Sequence, residues 1–220
     1  MIGAAIFDLD GTLVDSLPGI ADALNCALAT SGLPTHPNDL VRTFIGSGSW
    51  VLAKRGIGGE PADSQVDEIH EAFLVAYEET WRTGTTLYPG IRELLEVLHQ
   101  EGVILAVLSN KPHRFTVDIM ESLFDFVPFA AVLGQREGIP RKPDPTGALM
   151  VASELAIEPK EIAYVGDSTI DFATAQAAGM QPFLVSWGFH TAAQLSATAA
   201  PLFSSAEELR KCLKSLHPAG

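Results

Sequence analysis

The sequence predicts an α/β protein: a doubly wound parallel sheet with a small helical domain inserted after the first strand. Three observations lead there. Short apolar runs alternate with helical patterns at the start of the chain and again from about residue 85 onward. Between about 16 and 84 that alternation fails and only helical patterns occur. Charged and hydroxyl residues gather where the predicted strands end, the edge at which open α/β sheets bind ligands.

The first strand is read over 3–7, followed at once by Asp8-Leu-Asp10-Gly-Thr12. Strand side chains alternate faces, so carboxylates two apart point the same way. Gly11 permits a sharp turn and Thr12 adds a hydroxyl beyond it. A pattern so short also fits a turn that ends a strand and does nothing more. Helices are then expected near 16–31, 37–56 and 64–83, too much chain for a connecting loop. The predicted boundaries are 1–15 and 85–220 for the α/β domain and 16–84 for the helical one. Further strands are read near 103–108, 130–134, 162–165 and 182–186, with helices near 90–101, 113–123, 145–157, 170–178 and 206–216. Pro89-Gly90, Pro143-Asp144-Pro145 and Ser168-Thr169 stand before three of these helices as start signals.

The chain has 220 residues, is 47% hydrophobic and carries 27 acidic against 14 basic residues, a net charge of -13. Such a balance with no basic run argues against nucleic acid and anionic membranes as partners, because a phosphate backbone needs clustered Lys and Arg. The amino-terminal apolar run lacks a basic leader and is interrupted by Asp8 and Asp10, unlike a signal peptide. No window is long and apolar enough to span a bilayer. Cys26 and Cys212, far apart in sequence, fit reduced, buried thiols of a cytoplasmic protein. The six histidines have no ligand spacing, and most are read as surface residues.

Three more sites fall at predicted strand ends. Ser109-Asn110-Lys111-Pro112 closes the second strand, where Ser109 is either a helix N-cap or part of an anion pocket at a helix start. Lys142, in Arg141-Lys142-Pro143, is either solvated or a point charge for a phosphate. Gly166-Asp167-Ser-Thr-Ile-Asp171 puts two carboxylates on one face of a starting helix. With Asp8 and Asp10 nearby, up to four carboxylates would converge, which calls for Lys142 and a hard divalent ion such as Mg²⁺.

Taken in order and spacing, Asp8-Leu-Asp10-Gly-Thr12, Ser109, Lys142 and Gly166-Asp167-x-x-x-Asp171 resemble the four motifs of the haloacid dehalogenase superfamily. Within it, Tyr88-Pro89-Gly90, Val107-Leu-Ser109-Asn110-Lys111 and Val185-Ser-Trp187-Gly188-Phe189 resemble the phosphoglycolate phosphatase group. The resemblance implies a Rossmann-like core, a helical cap over the active site, and hydrolysis of a small phosphomonoester, phosphoglycolate favoured. It implies that Asp8 is the nucleophile and forms an aspartyl-phosphate, with Asp10 as acid and then base. Mg²⁺ would be held by the Asp8 carboxylate, the Asp10 carbonyl and Asp167. Ser109 and Lys142 would bind the phosphoryl oxygens, Thr12 and Asn110 would assist, and Asp171 would orient Lys142 or a metal-bound water.

Asp10 disfavours the dehalogenating and phosphonate-cleaving members, the latter depending on a cap lysine, here only Lys54. Sugar-phosphate phosphatases or mutases, pyrophosphatases and a non-catalytic phosphoester-binding protein remain alternatives. In the cap, Arg42-Thr-Phe-Ile-Gly46-Ser-Gly48 and Arg55 resemble a substrate-reaching segment: Gly46 would allow close approach, and Arg42 or Arg55 would meet a substrate carboxylate. The chain is expected to act as a monomer or homodimer.

Overall fold

The structure, a computed structural model, describes residues 2–217. Six parallel strands form one sheet in the order β5-β4-β1-β6-β7-β8. They are β1 (Ala4–Phe7), β4 (Ile104–Pro112), β5 (Ala131–Gln135), β6 (Ile162–Gly166), β7 (Gln181–Val185) and β8 (Leu202–Phe203). Helices α5 (Ile91–Gln100), α6 (His113–Leu123), α7 (Thr146–Leu155), α8 (Thr169–Ala178), α9 (Ala192–Ser196) and α10 (Ala206–Leu216) connect and cover them.

Alternation along the strands divides the core. Ala5 and Phe7 of β1 join Leu105, Val107, Ala163 and Val165 against α5, α6 and α10. Ala4 and Ile6 join Ala106, Leu108, Ile162 and Tyr164 against α7 and α8. A strand buried on both faces reads as a continuous apolar run, which is why β1 and β6 are visible in the sequence. β8 is two residues long and escapes periodicity altogether.

Between β1 and β4 the chain leaves and re-enters the sheet region through a two-stranded antiparallel ribbon. In it β2 (Val14–Asp15) pairs with β3 (Thr86–Leu87). The intervening segment holds α1 (Leu17–Thr30), α2 (Asn38–Arg42), α3 (Ser49–Ile57) and α4 (Asp63–Gly84) and, among the described residues, no strand. α1 and α4 touch backbone to backbone: a side chain on Gly84 would run into Gly19, and one on Gly19 into the Thr80 carbonyl. Apolar side chains of α1, α3 and α4 continue into the α5/α6 side of the core as one cluster.

Three expectations fail here. The helix expected over 37–56 is two helices, and Gly46 (φ +111°) and Gly48 (φ +90°) lie in the turn that separates them. The strand expected to stop at 108 runs to Pro112, so α6 starts at His113 and Ser109 is not at a helix start. Both cysteines are free thiols; Cys26 is exposed rather than buried. Among the described residues no helix is long and apolar enough to cross a membrane.

Candidate active site

One cavity opens between the carboxyl ends of β1, β4 and β6 and the helices α1, α3 and α4. Its floor carries Asp8, Asp10, Ser109, Asn110, Lys111, Lys142 and Asp167; its roof includes Ile20, Ile45, Leu52, Phe73 and Tyr77. β1 lies between β4 and β6 in the sheet, so parallel pairing alone brings the three strand ends together.

Lys142 is the hub of the floor. Its Nζ lies 2.8 Å from Asp8 Oδ1 and 2.7 Å from Asp171 Oδ1, and it donates to the Leu108 carbonyl at 3.3 Å. Asp171 is buried and saturated: the Ser168 amide and hydroxyl donate to its other oxygen at 3.1 and 2.5 Å in the cap of α8. Asp167 accepts from the Thr12 hydroxyl at 3.2 Å and the Phe189 amide at 2.6 Å. Gly11 (φ +87°) and Gly188 both press against Asp167, whose carboxylate would meet any side chain placed there. Asn110 ties the floor to the roof: it receives the Lys142 amide at 2.9 Å and donates to the Gly46 carbonyl at 3.0 Å.

Electrostatically the floor is crowded with carboxylates. Asp8, Asp167 and Asp171 offer oxygens within 4.8 Å of one another, and all three are buried. Burial pushes the Asp8 carboxyl up to about 7; Lys142 opposes this, while Asp171 and Asp10 add to it. Asp167 is raised for the same first reason, with Asp171 and Asp8 as repelling neighbours. For Lys142 burial works against the charge, but Asp171 and Asp8 outweigh it and hold the ammonium protonated. Three buried carboxylates facing one ammonium, all donors being oxygen, suit a hard divalent cation such as Mg²⁺.

Asp10 points to the other side of the floor. Both its oxygens accept from Lys111 Nζ, at 2.9 and 3.0 Å, and one also accepts from the Ser16 hydroxyl at 2.5 Å. Lys111 is the floor residue that sequence reasoning passed over, since its partner lies 101 positions away in the chain.

The remaining expected residues are distributed unevenly. Gly46 lines the cavity. Thr12 is not among the cavity-lining residues; its hydroxyl donates to Asp167. Arg42 and Arg55 also stand outside. The glycine break turns the first turn of α3 toward the cavity, leaving Arg55 in the last turn, where it donates to the Phe44 carbonyl at 2.8 Å and the Ser47 hydroxyl at 3.3 Å. His190, read as a surface residue, lines the cavity rim.

A parallel α/β sheet whose strand ends gather aspartates and a buried lysine beneath a helical roof has its ligand-binding crevice at the carboxyl edge of the sheet. The chain belongs to the haloacid dehalogenase-like hydrolase family, whose model matches residues 5–185. It is 36% identical over 187 residues to a phosphoglycolate phosphatase of Pectobacterium atrosepticum, covering 84% of this chain and 80% of that protein. A phosphoglycolate phosphatase of Haemophilus influenzae is likewise 36% identical, over 191 residues and 84% and 85% of the two chains. Among solved structures, a Lactobacillus delbrueckii subsp. bulgaricus protein provisionally named phosphoglycolate phosphatase superposes with a TM-score of 0.90 at 31% identity, covering 96% of this chain and 98% of that one.

Proposed function

We propose that this chain is a Mg²⁺-dependent phosphatase of small phosphomonoesters, with residues 16–84 as a cap over the active site and 2-phosphoglycolate as the first substrate to assay. The chain is a phosphoric monoester hydrolase; its relatives carry that activity in their names. The observation that carries the reading is the placement of Asp8 and Asp10 on one cavity floor with separate cationic partners, Lys142 and Lys111. A carboxylate beside Lys142 is set to attack phosphorus, and a second one stands apart to move protons.

In the first step an Asp8 oxygen forms a bond to phosphorus as the ester oxygen departs, and Asp10 gives that oxygen a proton. In the second, Asp10 takes a proton from water, whose oxygen displaces Asp8 from phosphorus and releases phosphate. Lys142, Ser109 and the Asn110 region bind the phosphoryl oxygens, and Asp171 holds Lys142 in place at 2.7 Å. Mg²⁺, held by the Asp8 carboxylate, the Asp10 carbonyl and Asp167, would neutralise charge on the transferring group. A cytoplasmic, soluble enzyme is the setting this reading assumes.

The test is phosphate release from 4-nitrophenyl phosphate and 2-phosphoglycolate with Mg²⁺ and with excess chelator. Turnover that chelation abolishes is expected. No turnover of any ester in a broad phosphate panel, or full activity in chelator, overturns the reading.

A further inference from the structure

The side chain of Asn110, buried near the end of β4, has no hydrogen left for a ligand. Its Oδ1 accepts from the Lys142 amide at 2.9 Å. Its Nδ2 donates to the Lys142 carbonyl at 3.1 Å and to the Gly46 carbonyl at 3.0 Å. A carboxamide has two N–H groups, and both are used. One amide donor and two carbonyl acceptors around it permit only this orientation of the group. Asn110 is therefore a bridge between the loop that carries Lys142 and the turn between α2 and α3.

Lys142 is gripped at both ends. Asn110 holds its backbone, while Asp171 and the Leu108 carbonyl hold its ammonium at 2.7 and 3.3 Å. The α2–α3 turn abuts both grips. The Gly46 carbonyl rests on Asn110, and a Cβ at Gly46 would stand 3.6 Å from Ile170, which adjoins Asp171. A Cβ at Gly48 would lie 2.9 Å from Arg141 Nε, and Arg141 adjoins Lys142. Both glycines have left-handed backbones, so the turn meets the floor with bare main chain. One turn of the roof thus touches the chain neighbours of Ser109, Lys142 and Asp171.

We propose that Asn110 is a positioning residue that makes the placement of Lys142 depend on the seating of the Gly46–Gly48 turn. With the turn seated, the Gly46 carbonyl fixes the Asn110 amide, the amide fixes the Lys142 backbone, and the ammonium stands where a phosphoryl oxygen arrives. With the turn withdrawn, one Asn110 N–H loses its acceptor, the amide is free to rotate, and the backbone grip on Lys142 loosens. The floor then binds phosphate weakly until the roof is seated, which ties the chemistry to the exclusion of water. This rests on the phosphatase reading and adds a route by which the roof controls the floor.

The experiment measures the Kd of inorganic phosphate by calorimetry, with Mg²⁺ present throughout and folding checked by circular dichroism. It compares the parent with Asn110→Ala, Gly46→Ala, Gly48→Ala and the double variant Asn110→Ala/Gly46→Ala. Inorganic phosphate carries no ester group to meet the turn, so a change in the turn reaches it through the floor. Asn110→Ala is expected to raise Kd about 10- to 100-fold, because it frees the Lys142 backbone. Each glycine variant forces a side chain onto a left-handed backbone and is expected to raise Kd about 3- to 10-fold. The double variant is expected within about twofold of Asn110→Ala alone, because both changes break the same link. Effects that multiply in the double variant overturn the coupling and leave the phosphatase reading intact. A Kd unchanged in either glycine variant does the same, and decides the matter even if Asn110→Ala does not fold. A parent that binds no phosphate and hydrolyses no ester overturns the phosphatase reading, and the coupling with it.

Discussion

The floor and the roof of the cavity are built from different parts of the chain. Floor side chains sit at the ends of parallel strands or in the turns after them, and nearly all are held by ion pairs or by hydrogen bonds from neighbouring amides. Roof side chains come from the faces of α1, α3 and α4 and are held by apolar packing that runs on into the main core. Ion pairs and hydrogen bonds fix individual atoms, as transferring a phosphoryl group demands. Apolar packing fixes a shape and tolerates rearrangement, which suits a surface that determines what enters.

Substitutions in the two regions should therefore separate chemistry from stability. The largest effect is expected for Asp8→Asn on the floor: a loss of at least ~10⁴-fold in kcat on 4-nitrophenyl phosphate, with the fold intact by circular dichroism. Activity within tenfold of the parent would remove the floor's claim to the chemistry. Next comes Asp167→Asn, which should raise the Mg²⁺ concentration for half-maximal activity by ~10–100-fold. The parent should also bind Mg²⁺ more weakly at pH 6 than at pH 8. The sign follows from Asp8: with its carboxyl pushed up to about 7, it holds a proton below that pH which the cation must displace. Calorimetric titration at the two pH values checks this, and equal affinities would contradict it.

On the roof, Leu52→Ala should cost about 2–3 kcal/mol in denaturant unfolding while changing kcat less than tenfold, since it removes buried apolar volume and no charge. A kcat collapse with unchanged stability would erase the distinction between the regions. The smallest effect is expected for Arg55→Ala. With its guanidinium on the Phe44 carbonyl and the Ser47 hydroxyl, KM should change about twofold at most, equally for carboxylated and neutral esters. A selective rise for carboxylated esters would return Arg55 to the substrate.

The same contrast governs what was legible beforehand. Asp8, Asp10 and Asp167 could be located because each follows an apolar run long enough to be a strand, and parallel pairing brings such ends to one edge; Lys142 lies in the loop beyond β5 and was legible only through the order of the four motifs. Lys111 sits beside the expected Ser109 and Asn110, but nothing local announces that it reaches Asp10. Arg42 and Arg55 are set toward the substrate by their resemblance to a substrate-reaching segment, whereas neither lines the cavity and Arg55 is bound to Phe44 and Ser47.

Sequence alone determined five of the six sheet strands, the helical segment after the first of them, and the order of the floor motifs, because strand and helix periodicities are local and survive without knowledge of the partner. Tertiary structure alone decided that Lys111 faces Asp10 and that Thr12 turns to Asp167. Those pairings join residues far apart in the chain, and only the docking of helices onto the strand ends sets which long side chains come within reach of each other.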